Sequence, residues 1–384
     1  MPKKRLLQPQ SVWERVALAA AFEEHHIKPS HIAKLYRYLL RHGAEARWQD
    51  VPNLPQAAVA LLERDFARTT SRLVHAQHSA SGDTIKLLVQ LQDGLQVESV
   101  VMTYDTTDSG KQTGQVRATL CVSSEVGCQM GCTFCATGTM GLTADLTAGE
   151  IVEQLVHAIS IMPVRNVVFM GMGEPLNNYV AVREAVSLMT DNSVFALRRS
   201  AVSVSTVGVI PRLAQLATDL PGVSLALSLH APTQELRQRI VPSAKAYKLD
   251  RLMAAVAAYQ ATTQQRVFIE YVMLGPAVNC TEEHAHQLGQ LLQGRDVVVN
   301  LIPWNPILSP GMEFEAPVGD SLARFHSILR EQYGLPCTVR QEKGQDISGA
   351  CGQLVLERGG GCKQGSLADV EDLGAAAARA AAAR

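Results

Sequence analysis

The chain has 384 residues, 47% hydrophobic and 18% charged, with 36 acidic against 35 basic side chains and a net charge of −1. That is a globular composition without the basic excess of a typical nucleic-acid binder. Its 5% aromatic content excludes a long stacking surface for single-stranded nucleic acid, and a chain this long predicts one large domain plus something smaller.

The opening stretch has its longest apolar run at Val16–Phe22, directly after Glu14 and Arg15 and before Glu23. This pattern predicts an amphipathic helix and not an export signal. No apolar run approaches the roughly 20 residues of a membrane span, so the expectation is a cytoplasmic protein without membrane contact. In a reducing compartment eight cysteines do not read as a disulfide framework, and a tight group of them reads first as a metal site. The basic clusters Lys3-Lys4-Arg5 and Arg198-Arg199 read as solvated faces.

Residues 1 to about 95 are helical in character, with apolar residues at helical spacing in Ile32–Leu40 and Ala57–Phe66. Within the later part, 84–91 and 96–102 alternate like strands around Asp93-Gly94, a hairpin signal. The polar stretch Asp105–Gly114 reads as a boundary loop. Apolar strand-like runs then recur at 117–122, 166–170, 201–206, 223–229, 266–273 and 297–302, separated by helical segments. The first of these helices opens with Thr147 and Glu150 at capping-box spacing. Such alternation predicts an α/β fold, a parallel sheet buried on both faces and curling toward a (βα)6 barrel. The expected division is a helical accessory domain over 1–80, a β-hairpin extension and linker over 81–116, a core over 117–356 and an alanine-rich flexible tail over 357–384. Chemistry in such folds sits at the carboxyl ends of the strands, where the cysteine loop, GMGEP, STVG, SLHAP and IPWNP fall.

The cysteine loop is VGCQMGCTFCATG, carrying Cys128, Cys132 and Cys135. A structural zinc site needs four ligands, and the nearest candidates for a fourth are Cys121 in a strand-like run and His157 on a helix. Three thiolates suit an iron–sulfur cluster with one open iron. The spacing Cys-x3-Cys-x2-Cys, with Phe134 before the last cysteine, resembles the radical S-adenosylmethionine (SAM) superfamily. That resemblance implies a partial TIM-type barrel and a 4Fe–4S cluster whose open iron chelates SAM and reduces it to a deoxyadenosyl radical. In GMGEP, Gly171 and Gly173 permit unusual backbone conformations, and by resemblance Gly173 and Glu174 bind the amino group of SAM. Ser205, Ser228, Leu229, His230 and Asn305 stand at later strand ends, suited to its ribose and carboxylate. Each of these polar residues alone also reads as a satisfied core group, and His230 need not act as acid or base.

Two further cysteines stand out by their surroundings, Cys121 in TLCVSSEVGC and Cys351 in DISGACGQL. Together with GMGEPLNN, SLHAP, IEYVML, EHAHQL and NLIPWNP, in this order over residues 80–355, they resemble the RlmN/Cfr family of radical SAM RNA methyltransferases. The family methylates adenine in RNA at carbon 2 (RlmN type) or carbon 8 (Cfr type), and carbon 2 in ribosomal or transfer RNA is the expectation here. These ring carbons are not nucleophilic, so polar methyl transfer fails and radical addition is required. The resemblance implies two SAM per turnover, Cys351 as the S-methylcysteine intermediate and Cys121 as the thiol that resolves it through a transient disulfide. It implies Glu98 as the proton acceptor, an electron donor such as flavodoxin, and a monomer whose N-terminal domain contacts RNA. An exposed strand carboxylate is the plain alternative for Glu98. Cys280 and Cys337 read as small core residues, and Cys362 carries no assignment. Three features depart from the family: the long loop at 105–115, Gln341 and Glu342 in place of basic residues, and little positive charge in the N-terminal region. A different radical SAM substrate and a non-catalytic zinc RNA-binding protein remain as alternatives.

Overall fold

The computed structural model describes residues 5–105, 116–307, 314–317 and 319–355. The stretch 106–115, Cys362 and the alanine-rich segment lie outside the described residues. At the start, β1 (Gln10–Ser11) pairs in parallel with β2 (Phe66–Ala67), and between them run α1 (Arg15–Glu24), α2 (Ser30–His42) and α3 (Gln56–Asp65). The stripe Ile32, Leu35, Tyr36 and Leu39 of α2 is buried at helical spacing, and Trp13 stacks on Tyr36 with ring centroids 5.0 Å apart.

The helical character expected through residue 95 stops at Asp65. Arg72–His78 is a strand, β3, which pairs antiparallel with β4 (Thr84–Gln90). Its side chains are half-buried or exposed along its whole length, so it lacks the alternating pattern that would announce a strand. The hairpin signal at Asp93-Gly94 holds: β4 turns there into β5 (Gln96–Asp105), with Leu91 N–H donating to Leu95 O at 2.7 Å. β5 pairs antiparallel with β6 (Val116–Cys121).

After β6, β7 (Glu125–Cys128) and β8 (Gly141–Asp145) form a separate antiparallel ribbon that spans the cysteine loop and α4 (Ala136–Met140). Parallel pairing then joins β6 to β9 (Val164–Phe169), and onward through β10 (Val202–Thr206), β11 (Ser224–Ser228), β12 (Val267–Met273) and β13 (Val297–Pro303). These correspond to the six apolar runs of the sequence. A further strand, β14 (Cys337–Val339), extends the sheet at its edge; only three residues long and exposed at two of them, it leaves no hydrophobic signal. The ten-stranded sheet is ordered β14-β13-β12-β11-β10-β9-β6-β5-β4-β3, a partial TIM-type barrel with an antiparallel extension. Outer helices make the crossovers: α5 (Ala148–Ile161), α6 (Tyr179–Met189), α7 (Ile210–Asp219), α8 (Gln234–Ile240), α9 (Leu249–Thr263), α10 (Glu282–Leu292) and α11 (Ser321–Ser327). Covered on both faces, the strands can be apolar throughout.

The N-terminal helices and the barrel share one hydrophobic core, from Trp13 and Leu62 through Leu87 to Val299. Polar contacts with α5 close the junction. Its capping box is formed, with Glu150 N–H donating to Thr147 Oγ1 at 3.2 Å, and Arg5 grips the same Glu150 through Nη1 and Nη2 at 2.7 and 2.6 Å. Gly149 is required here, because a Cβ would fall 2.7 Å from both Glu14 Oε1 and Ser11 Cβ.

Candidate active site

Each parallel strand hands its chain to a loop on the same rim of the sheet. The cysteine loop leaves β7 at Cys128, turns through Cys135 N–H to Cys132 O at 3.2 Å, and enters α4. It is clasped from three sides. Thr133 N–H donates to Ile240 O of α8 at 3.0 Å, Trp304 Nε1 donates to Phe134 O at 3.2 Å, and Ala136 N–H donates to Gly352 O at 2.7 Å. A second apolar cluster built on Phe134, Leu236, Ile240, Val272 and Trp304 packs beneath it. The loop is therefore fixed by the barrel and not by its own sequence.

A cleft of ≈ 940 Å³, partly open to solvent, is lined by Cys128, Cys132 and Cys135 together with Gly173, Glu174, Ser205, Ser228, His230, Asn305 and Cys351. Burial pushes the Cys128 thiol up to about 12. Cys132 and Cys135 are raised too, first by burial and then by charge on a neighbouring cysteine. Three buried thiolates that repel one another are costly unless a cation sits among them, which is the situation an iron–sulfur core relieves. No group of three or more His, Cys, Asp or Glu among the described residues is arranged to hold a single metal ion. The candidates for a fourth zinc ligand are engaged elsewhere: Cys121 lines a different cavity, and His157 Nε2 is hydrogen-bonded to Ser71 Oγ at 2.9 Å. The donor set thus fits an open-iron cluster and does not fit a closed zinc site.

Gly173 adopts φ +101, and a Cβ there would sit 2.6 Å from Glu125 Cβ, so only glycine lets the GMGEP loop lie this close to β7. Glu174 is buried; its Oε1 accepts from Leu176 N–H at 3.0 Å and its Oε2 from Val207 N–H at 2.9 Å. The Thr206 hydroxyl bonds this carboxylate as well, and a carboxylate with four acceptor sites retains one for an ammonium. Ser205 and Ser228 stand side by side on β10 and β11 with Oγ atoms 3.1 Å apart. His230 has φ +61, accepts Val272 N–H at Nδ1 (3.1 Å) and meets Phe134 edge to face at 4.9 Å. Burial, aided by Arg237, pulls its pKa down to about 3, so the ring is neutral and a wall, not a proton carrier. Leu229 has a side chain that is wholly buried in the core and does not line the cleft. It offers the site only backbone, its carbonyl accepting Arg237 Nε at 3.1 Å.

A smaller cavity of ≈ 490 Å³ adjoins the first, lined by Val100, Cys121, Lys343 and Leu354, with Met170, Asn305, Arg340 and Cys351 common to both. Cys351 is thus on the dividing wall, its carbonyl accepting Asn305 Nδ2 at 3.0 Å. Burial, then the neighbouring Cys351, pushes Cys121 up to about 12. Gln341 and Glu342 line this smaller cavity, so the weakly basic stretch flanks the site. Glu98 lines neither cavity. It is buried on the strand face it shares with Val100, with Oε1 3.2 Å from Lys86 Nζ and Oε2 accepting Val355 N–H at 3.0 Å. Cys280 and Cys337 are buried in the core.

Three charged residues on this rim escaped the sequence reading. Arg340 lines both cavities, buried Glu270 lines the larger one beside Asn300 (Nδ2 to Oε2, 2.9 Å), and Arg237 lies behind it. No spacing could have marked them, since each matters only through tertiary burial.

A model of the radical SAM superfamily matches residues 122–288. The chain is 38% identical to a probable dual-specificity RNA methyltransferase RlmN 2 of Opitutus terrae over 379 residues, covering 89% of this chain and 85% of that one. It is 40% identical to a ribosomal RNA large subunit methyltransferase N of Nitrosopumilus maritimus over 311 residues, 79% and 86% of the two chains. The chain belongs to the RlmN family of radical SAM RNA methyltransferases. A solved structure, a radical SAM methyltransferase from Sphaerobacter thermophilus, superposes with a TM-score of 0.80 at 36% identity, covering 90% of this chain and 99% of that one. RlmN-family membership brings a 4Fe–4S cluster and SAM as its cofactors, and the three cysteines of the larger cleft are the residues whose donor chemistry fits the cluster.

Proposed function

We propose that this chain methylates carbon 2 of an adenine in ribosomal or transfer RNA through S-methylcysteine at Cys351. The observation that carries this reading is the position of Cys351, on the wall between the cleft of the three cysteines and the cavity holding Cys121. When bound, the cluster and SAM supply a methyl group and one-electron chemistry able to draw hydrogen from a methyl carbon. Cys351 Sγ takes the methyl, and its carbon bonds to the flipped adenine. The adduct gives up one electron and its ring proton. Cys121 then attacks the sulfur of Cys351, and the carbon–sulfur bond breaks with its electron pair passing to the methylene carbon, which takes up a proton to become the methyl group. A Cys121–Cys351 disulfide remains for later reduction. Glu174, Gly173, Ser205, Ser228, His230 and Asn305 cradle SAM, with Leu229 contributing main chain. Glu98, which lies 3.2 Å from Lys86 Nζ through Oε1, takes the ring proton.

RNA as substrate is supported by α2, which contains no acidic residue and exposes Lys34, Arg37, Arg41 and His42; a net charge near zero had concealed this basic face. The reading includes a reductant such as flavodoxin, a monomeric chain and a cytoplasmic location. No helix among the described residues is long and apolar enough to cross a membrane. The test is Cys121→Ala, expected to trap a covalent protein–RNA adduct through Cys351, with loss of 2-methyladenosine in nucleosides digested from cellular RNA. A fully active Cys121→Ala enzyme defeats the assignment, and 8-methyladenosine as product would place the chain with carbon 8 chemistry.

A further inference from the structure

Arg237 sits in the middle of QELRQRI, where an arginine on a surface helix would normally reach solvent. Instead it is 1% exposed. Its Nε donates to Leu229 O at 3.1 Å, and its Nη2 donates to Val207 O at 2.6 Å and Ser228 O at 3.3 Å. All three acceptors are neutral carbonyls, and no carboxylate pairs with Arg237 among the described residues. A buried, unpaired guanidinium is costly, and arginine cannot discharge the cost by losing its proton.

Its surroundings say what the charge is for. The carbonyls it holds belong to the two loops bearing Val207 and Ser228 of the larger cleft. One turn further on, Ile240 O anchors Thr133, the residue after Cys132. The cysteine loop is thus anchored to the same helix that carries Arg237. The helix α8 therefore carries one fixed positive charge to the rear of a site built from three thiols.

We propose that Arg237 is an electrostatic positioning residue for the cluster held by Cys128, Cys132 and Cys135. It raises the cluster's reduction potential while fixing the loops that line the cleft. Accepting an electron makes the cluster and its thiolates more negative, and a cation in a low-dielectric interior favours that state over the oxidised one. Net charge around the sulfurs is one of the levers that sets such potentials. The proposal rests on the cluster and is independent of which RNA atom is methylated.

The test is a redox titration of the full-length chain, reconstituted anaerobically with iron and sulfide and followed by electron paramagnetic resonance. R237M and R237Q remove the charge while keeping much of the volume. They are expected to lower the ratio of reduced to oxidised cluster at least tenfold at fixed ambient potential, which is about 59 mV for a one-electron couple. R237K keeps the charge and is expected to stay within about twofold of the wild type. Neutral variants that load the cluster and keep the wild-type potential overturn the proposal, as does R237K shifting as far as R237M. If the neutral variants fail to hold a cluster that R237K holds, the charge requirement stands; if R237K also fails, it falls. Wild-type protein that never takes up iron and sulfide would instead defeat the cofactor reading itself.

Discussion

Glu153 and Glu125 are both carboxylates with no solvent exposure, yet the two regions they serve treat them in opposite ways. Glu153, on α5 at the junction with the N-terminal helices, accepts five hydrogen bonds, from Ser11 Oγ, from Thr70 N–H and Oγ1, and from Ser71 N–H and Oγ. Glu125, behind the cleft, accepts Glu174 N–H at Oε2, while its Oε1 is buried without a partner. Burial pushes Glu125 up to about 8, whereas the donors around Glu153 oppose the effect of its burial. The buried carboxylate of the junction is fully satisfied, and that of the site is left under electrostatic tension. Stability is concentrated in one region, and the other keeps buried thiols, an unpaired arginine and a half-satisfied carboxylate, as functional sites commonly do.

The largest effect should come from emptying the site without touching the junction. Cys128→Ala, Cys132→Ala or Cys135→Ala is expected to abolish iron and sulfide binding and reduce methylation to background. Thermal unfolding of the metal-free chain should change little, by about 1 kcal/mol or less, since each loses only a small side chain. A variant that retains both iron and activity would break the comparison at its strongest point. Next in size, Glu153→Ala should destabilise the fold by about 3 kcal/mol, because the serine and threonine donors around it would be left buried without an acceptor. Limited proteolysis should then cut first in the N-terminal helices. Uniform loss of the whole fold would show that the junction is not a separable region.

Glu125 sharpens the contrast through pH. Below its ordinary value of 4.5 it is protonated in the folded and the unfolded chain alike. As pH rises toward about 8 the unfolded chain gives up a proton that the folded chain keeps, so the stability owed to this group falls across that window. Glu125→Gln mimics the neutral form and should remove the decline. Thermal unfolding of wild type and variant at the two ends of the window measures it; parallel curves would mean that Glu125 is ionised when folded.

The same division explains what could be read in advance. The strands β6 and β9 to β13 are covered on both faces, so burial is written into them as apolar runs, and the capping box at Thr147 is a local signal with a local cause. The three-cysteine spacing was legible because ligand chemistry constrains residue type as well as position. β3 and β14 were not, since they are edge strands, β3 half-buried along most of its length and β14 exposed at two of its three residues. Arg237, Arg340 and Glu125 look like ordinary charged residues in sequence, and only the fold buries Arg237 and Glu125 and brings Arg340 to the cleft. Leu229 shows the converse: its neighbours Ser228 and His230 line the cleft while its own side chain turns to the core.

The smallest effect asks whether the N-terminal region does more than stabilise. Lys34 is exposed on α2, a helix without acidic residues that also presents Arg37, Arg41 and His42. If this face meets the RNA backbone, Lys34→Gln removes one phosphate contact and the counterion release that accompanies it. Affinity should weaken by about 0.5–1 kcal/mol irrespective of the target sequence, and the slope of log affinity against log salt should become shallower by about 1. Unfolding should be unaffected, because the side chain is solvated. An unchanged salt slope would confine α2 to a packing role and move RNA recognition to the rim of the cleft, where Arg340 and Lys343 stand.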